Sequence, residues 1–279
     1  MARRISSSQL KSKLHQIERQ AQNNLSRAIQ KYNQEVRAYN SRVRANRQRV
    51  LSEFSKLNRQ STTSTRYVVF RTSVNTLHRV YVNLEDQIGN LSLSSQHDEL
   101  LDLSEKENAN SIELMNALLG DENHGQDSEE SLRNTNIGNE LKNISGDLDN
   151  RWRGAIFALD VRNPDAARHF CASSREIFTQ ILETGAPDES VLALIPDCDK
   201  TASKKPSRRD KIRFLLHKKG MEEMVLEEFV EQDMDNIVQL FRVLNDGTHG
   251  NSGRFDFHQL FAIKKRVEDG ILFLSKIVS

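Results

Sequence analysis

The first 88 residues contain neither glycine nor proline, and that absence constrains the fold more than any single motif does. These are the two residues that most readily end or bend a helix, so a long polar stretch without them is free to run as extended helix. The apolar spacing agrees. Ile29, Val36, Val43, Val50 and Leu57 fall seven apart, with Leu25, Tyr32 and Tyr39 at the companion position, and Leu10, Leu14, Ile17 and Ala21 continue the stripe in a shifted register. After Ser61-Thr62-Thr63-Ser64 a second series places Tyr67, Val74, Tyr81 and Ile88 at one heptad position and Phe70, Leu77 and Leu84 at the other. Tyr67-Val68-Val69-Phe70 and Val80-Tyr81-Val82 are strand formers by type, but the alternation a hairpin needs fails between them. The expectation is a helical coiled-coil arm over residues 1–88, folded as an antiparallel hairpin or paired as a dimer.

Charge divides the chain further. Residues 1–60 hold 14 Lys/Arg against 3 Asp/Glu, residues 89–150 hold 3 against 14, and residues 151–279 hold 20 of each. Blocks of this kind behave as separate solvated segments. The basic face of the arm, with Arg37, Arg42, Arg44, Arg47, Arg49, Lys56 and Arg59, is a candidate for nucleic-acid phosphates, for a plain solvated helix surface, or for masking by the acidic block. That block, 89–150, is rich in Asn, Ser, Asp and Glu and reads as a largely flexible linker with two short amphipathic islands, His97 to Leu103 and Ser111 to Leu119. The two cysteines, Cys171 and Cys198, show no metal-site spacing, no run is apolar enough to span a bilayer, and Met1-Ala2-Arg3-Arg4 leads into polar sequence. A cytoplasmic protein without cofactor or metal is expected.

From Arg151 the texture becomes that of a packed helical domain, 151–279. Trp152, Ala155, Ile156 and Leu159 line one helix face, and Asn163-Pro164-Asp165 reads as the start of the next helix, which ends at Gly185-Ala186-Pro187. Ser207 to Lys219 is a basic helix whose Arg208 and Arg209 suit either nucleic acid or a solvated face paired with the acids from Glu222 onward. Met221 to Leu244 and Phe255 to Val278 read as two amphipathic helices, which makes the expected fold class all-α. Between them Asn245-Asp246-Gly247 stops the first helix. Arg242 on its last turn and His249 in the glycine-flanked loop then share one rim of the hairpin.

Arg242 and His249 are the catalytic candidates. Histidine titrates near neutral pH and suits proton transfer, while arginine holds phosphate oxygens in a planar fork and stays charged. Asp246 either orients His249 or is a turn residue at the helix end. His258 is a secondary candidate, and His169 and Arg175 suit packing or positioning. One His and one Arg per chain are few for acid and base work together, so two loops pairing in a homodimer are the expected assembly.

The Arg242 to His249 spacing, bridging a penultimate helix and its loop ahead of a long final helix, resembles the arginine–histidine motif of the HEPN superfamily. Trp152-Arg153-Gly154-Ala155, Asn163-Pro164-Asp165-Ala166-Ala167-Arg168-His169 and Ser174-Arg175-Glu176-Ile177 resemble the opening of predicted nuclease domains associated with prokaryotic PIWI-like defence genes. Together these cover Arg151 to Ser279. Where many HEPN nucleases have a polar residue after the arginine, this chain has Val243. The resemblance implies a helical bundle and a metal-independent endoribonuclease effector of antiphage defence or a toxin–antitoxin pair, with RNA as substrate and a defence partner or antitoxin. Two alternatives stand beside it: a non-catalytic helical scaffold, and a coiled-coil subunit that binds nucleic acid through its arm.

If the arm grips phosphates, binding of generic RNA weakens steeply as salt rises from about 50 to about 200 mM. Fluorescence anisotropy measures this, and a flat salt response counts against phosphate contacts.

Overall fold

The computed structural model describes residues 7–62, 64–88, 95–120, 129–160, 162–221, 224–246 and 255–278. Among these there are eleven helices and no strand, apart from an isolated bridge between Lys200 and Pro206. The all-α expectation holds. No described helix is long and apolar enough to cross a membrane.

The chain divides into two compact units, residues 1–48 and 49–279. The first consists of helix α1 (Ser7–Arg59) up to Gln48. Its heptad residues Leu14, Ile17, Leu25, Ile29, Tyr32 and Val36 are exposed, so the predicted stripe forms but buries nothing within this unit. Arg42 lies over the Tyr39 ring at 5.3 Å, close enough for cation–π attraction.

The second unit takes in the end of α1 and all later helices. Helix α2 (Thr65–Ile88) buries its own heptad stripe, Phe70, Val74, Leu77, Tyr81 and Leu84. It lies against α3 (Ser95–Leu118) and α10 (Met224–Asp246), and α3 lies against α11 (Phe257–Val278). The division between units therefore falls at Gln48 and Arg49 rather than at the expected 88, because α2 spends its apolar face on the core.

The acidic linker expectation is corrected by α3. Its buried residues include Ser104, Glu107, Asn108, Asn110, Ser111 and Asn116, and the two islands foreseen at 97–103 and 111–119 are the ends of this one helix. Polar side chains inside a core need partners, and each of these has at least one. Arg266 on α11, with no exposed surface, donates to Glu107, to Asp233 Oδ1 at 2.5 Å and to Asn236 Oδ1 at 3.2 Å. Asn236 in turn accepts from Ser111 Oγ at 2.8 Å. Lys106 pairs with Asp269 at 2.7 Å, and Asp269 also accepts from Asn110 at 2.7 Å. Glu113 takes Lys265 at 2.9 Å and Arg49. The acids of α3 thus serve the core of their own unit.

Further along, α4 (Glu129–Arg133), α5 (Gly138–Ile144) and α6 (Gly146–Ala158) lead into α7 (Ala166–Gly185). Ser145 is the single residue between α5 and α6, and its Oγ accepts from Asp147 N at 3.2 Å, capping α6. Trp152 stacks at a tilt on Phe170 of α7 with ring centroids 5.6 Å apart, and its Nε1 donates to Thr135 Oγ1 at 2.7 Å. The expected cap at Asn163 sits one turn early: Asn163 Oδ1 accepts from Asp165 N at 3.1 Å, ordering the turn before α7. Helices α8 (Asp188–Leu194) and α9 (Arg208–Lys218) complete the order. At Gly270 on α11 an added Cβ would meet Ile237 Cδ1 at 2.7 Å, so this glycine marks a close crossing with α10.

Burial pushes the Glu107 carboxyl well above the ordinary glutamate range, against the pull of Arg266. A group raised in this way binds its proton more tightly in the folded chain. Its contribution to stability is full below the ordinary glutamate range and is lost as pH rises through the raised value. Glu107→Gln should therefore flatten the decline of stability with rising pH. Arg266→Met, which leaves two buried carboxylates without their cation, should cost about 3–5 kcal/mol. Urea denaturation across pH checks both, and an Arg266→Met chain as stable as the parent would remove the buried pairs as the support of this core.

Candidate functional site

Arg242 stands on the last two turns of α10, between the buried Phe241 and the buried Val243 and Leu244. It is exposed, with Nη1 3.5 Å from Gln239 Oε1. Val243 is buried and belongs to the core face. Asp246 is the last residue of α10. His249 lies outside the described residues, as does the rest of 247–254.

Helix α11 begins at a reciprocal cap. Asp256 Oδ1 accepts from Gln259 N at 2.8 Å, and Gln259 Oε1 accepts from Asp256 N at 3.1 Å, which satisfies two donors at the start of α11. His258 is half-buried on this first turn. Arg242 therefore stands close to where α10 delivers the chain into the segment that carries His249.

The other candidates are dispersed. Arg209 pairs with Glu227 at 3.1 Å and Glu231 at 3.5 Å, Arg213 with Glu227 at 3.2 Å, and Arg208 with Asp235. These guanidinium groups of α9 are directed at α10, which is the arrangement of a basic face matched to an acidic one. Arg42, Arg44 and Arg47 are exposed on α1, whereas Arg49 is half-buried and donates to Asn110 Oδ1 at 2.6 Å and to Glu113. Cys171 is buried, and burial pushes its thiol above the ordinary range, so it packs rather than attacks.

A second cluster was not foreseen. A cleft of about 1270 Å³ is bordered by α4, α5, α6 and the start of α7. Arg133, Lys142, Arg153, Arg162 and His169 line it, together with Asp149, Asp160 and Phe157. Asp149 accepts from Arg153 Nε at 3.0 Å and lies 3.6 Å from Lys142 Nζ. Asp160 accepts from Arg162 Nη2 at 2.6 Å and Nε at 2.9 Å, and those bonds hold its carboxyl well below the usual carboxylate range. Gly138 lets α5 approach closely, since a Cβ there would lie 3.0 Å from Asp149 Oδ1. His169 is exposed, with Nδ1 3.5 Å from Asn163 Nδ2.

One signal for this cleft was present in the sequence. Trp152, Ala155, Ile156 and Leu159 mark the buried face of α6 and its end, and Phe157 falls off that face. The cations and acids around it come from four segments and share no local spacing.

No curated protein and no solved structure matches the chain. Residues 141–274, from the middle of α5 through most of α11, match the sequence profile of a family described as predicted pPIWI-associating nuclease.

Proposed function

We propose that this chain is a metal-independent endoribonuclease effector of a prokaryotic defence system, cutting RNA at a composite site to which two protomers each contribute Arg242 and His249. The observation that carries the reading is the match of 141–274 to a family described as a pPIWI-associating nuclease. The exposed Arg242 at the end of α10 supports the placement of the site.

In this chemistry one histidine takes the proton of a ribose 2′-hydroxyl, whose oxygen attacks the adjacent phosphorus. The bond from phosphorus to the 5′-oxygen breaks, and the second histidine, protonated, gives its proton to that leaving oxygen. The arginine forks hold the charge that builds on the non-bridging oxygens. Products end in a 2′,3′-cyclic phosphate and a 5′-hydroxyl. A defence partner or antitoxin that restrains the site fits the same reading.

The test compares RNA cleavage and growth inhibition by the unaltered chain, Arg242→Ala and His249→Ala. His249→Ala should lower cleavage by about 10²- to 10⁴-fold with the fold and RNA affinity nearly unchanged, and a chelator should leave the unaltered chain active. Full activity in His249→Ala, or abolition by the chelator, would move the weight to a scaffold role or to another site.

A further inference from the structure

The cleft beside α6 plays no part in the Arg242 and His249 site as proposed, yet its chemistry is specific. Phe157 is 89% exposed, while Trp152, Ala155 and Ile156 of the same helix are buried. An exposed phenyl ring gains free energy from any flat apolar surface that covers it, and a nucleobase covers a ring face without asking it for a hydrogen bond.

The surroundings of the ring suit the rest of a nucleotide chain. The side chains of Arg133, Lys142, Arg153 and Arg162 are 63%, 51%, 63% and 75% exposed, whereas Asp149 and Asp160 beneath them are 6% and 26% exposed. The four cations that line the cleft outnumber the two carboxylates lining it, so positive charge faces outward, where a polyanion would meet it. At about 1270 Å³ it also exceeds the roughly 300–1,000 Å³ usual for small-molecule pockets. A double helix is a poor occupant, because its bases are stacked on one another and offer no free face to a ring.

We propose that this cleft binds single-stranded RNA, with Phe157 stacked on one unpaired base and Arg133, Lys142, Arg153 and Arg162 on the flanking phosphates. The choice of RNA rests on the ribonuclease reading; the stacking and the charge do not. Phe157 is outside the buried core of the described residues, so its replacement leaves that core intact.

The experiment uses the full chain carrying His249→Ala, so that RNA is not consumed, and a short single-stranded RNA with one 2-aminopurine, whose fluorescence falls when it stacks. Binding to this chain should quench the probe. Adding Phe157→Ala should weaken binding about 5- to 150-fold, the range expected for one stacked base, and remove the quench. Phe157→Trp should restore both, and Phe157→Leu should not restore the quench. Affinity for a duplex of the same sequence should be the same with and without Phe157→Ala. Equal binding and quenching in the Phe157→Ala chain overturns the proposal. Cleavage by the chain with His249 intact, run in parallel, separates the two ideas: a normal quench without any cleavage rejects the nuclease alone, and cleavage without a Phe157-dependent quench rejects the cleft alone.

Discussion

A guanidinium sealed from water must be neutralised where it lies, and the second unit is arranged around that requirement at Arg266. Leaving such a charge unpaired costs several kcal/mol. Its planar fork meets Glu107 of α3 with one nitrogen and Asp233 and Asn236 of α10 with the other, so one side chain of α11 ties three helices together. A lysine could not do the same, since its ammonium is a compact charge without the fork. Ser111 and Ser73 then complete the polar set around Asn236. Phe229 of α10 also meets Tyr81 of α2 and Phe273 of α11 edge-on, with ring centroids 6.4 and 6.0 Å apart.

That arrangement explains where the sequence was transparent and where it was not. Helices α1, α2, α10 and α11 announce themselves because their apolar residues recur at helical spacing, and periodicity of that kind is local. Helix α3 blurs the same test because Ser104, Glu107, Asn108 and Ser111 are buried on it among apolar residues such as Leu100, Ile112 and Met115. The partners of Glu107 and Ser111, which are Arg266 and Asn236, lie more than a hundred positions downstream, where no window of sequence connects them. A polar stretch was therefore indistinguishable from solvated linker until its partners were in place. The exposure of Arg242 near the end of α10 was legible from the helical pattern. The cleft at Phe157 was only half legible, since the odd aromatic shows in the helical pattern but its ring of cations is assembled by tertiary structure.

The two proposed sites divide the work of a nuclease along physical lines. Holding a strand needs breadth, positive charge and a surface for bases, which the cleft offers. Breaking it needs a proton carrier and a fixed cation within reach of one phosphate, for which Arg242 and His249 are the residues of the right type. Arg242, His249 and Phe157 all fall in the stretch that matches the nuclease family, although the edge of the cleft from Arg133 to Asn139 lies before it.

The cap at the start of α11 bears on this division. A helix start ordinarily gathers anions, because its free amide protons and the positive end of its dipole point the same way. Here Asp256 and Gln259 already fill that role for each other, and the aspartate sets a negative charge where an incoming phosphate would otherwise settle. A phosphate approaching this helix start would have to be held by side chains rather than by backbone. A backbone trap survives almost any substitution, whereas a side-chain trap can be switched off by changing one codon, or by a partner protein that offers its own carboxylate to Arg242.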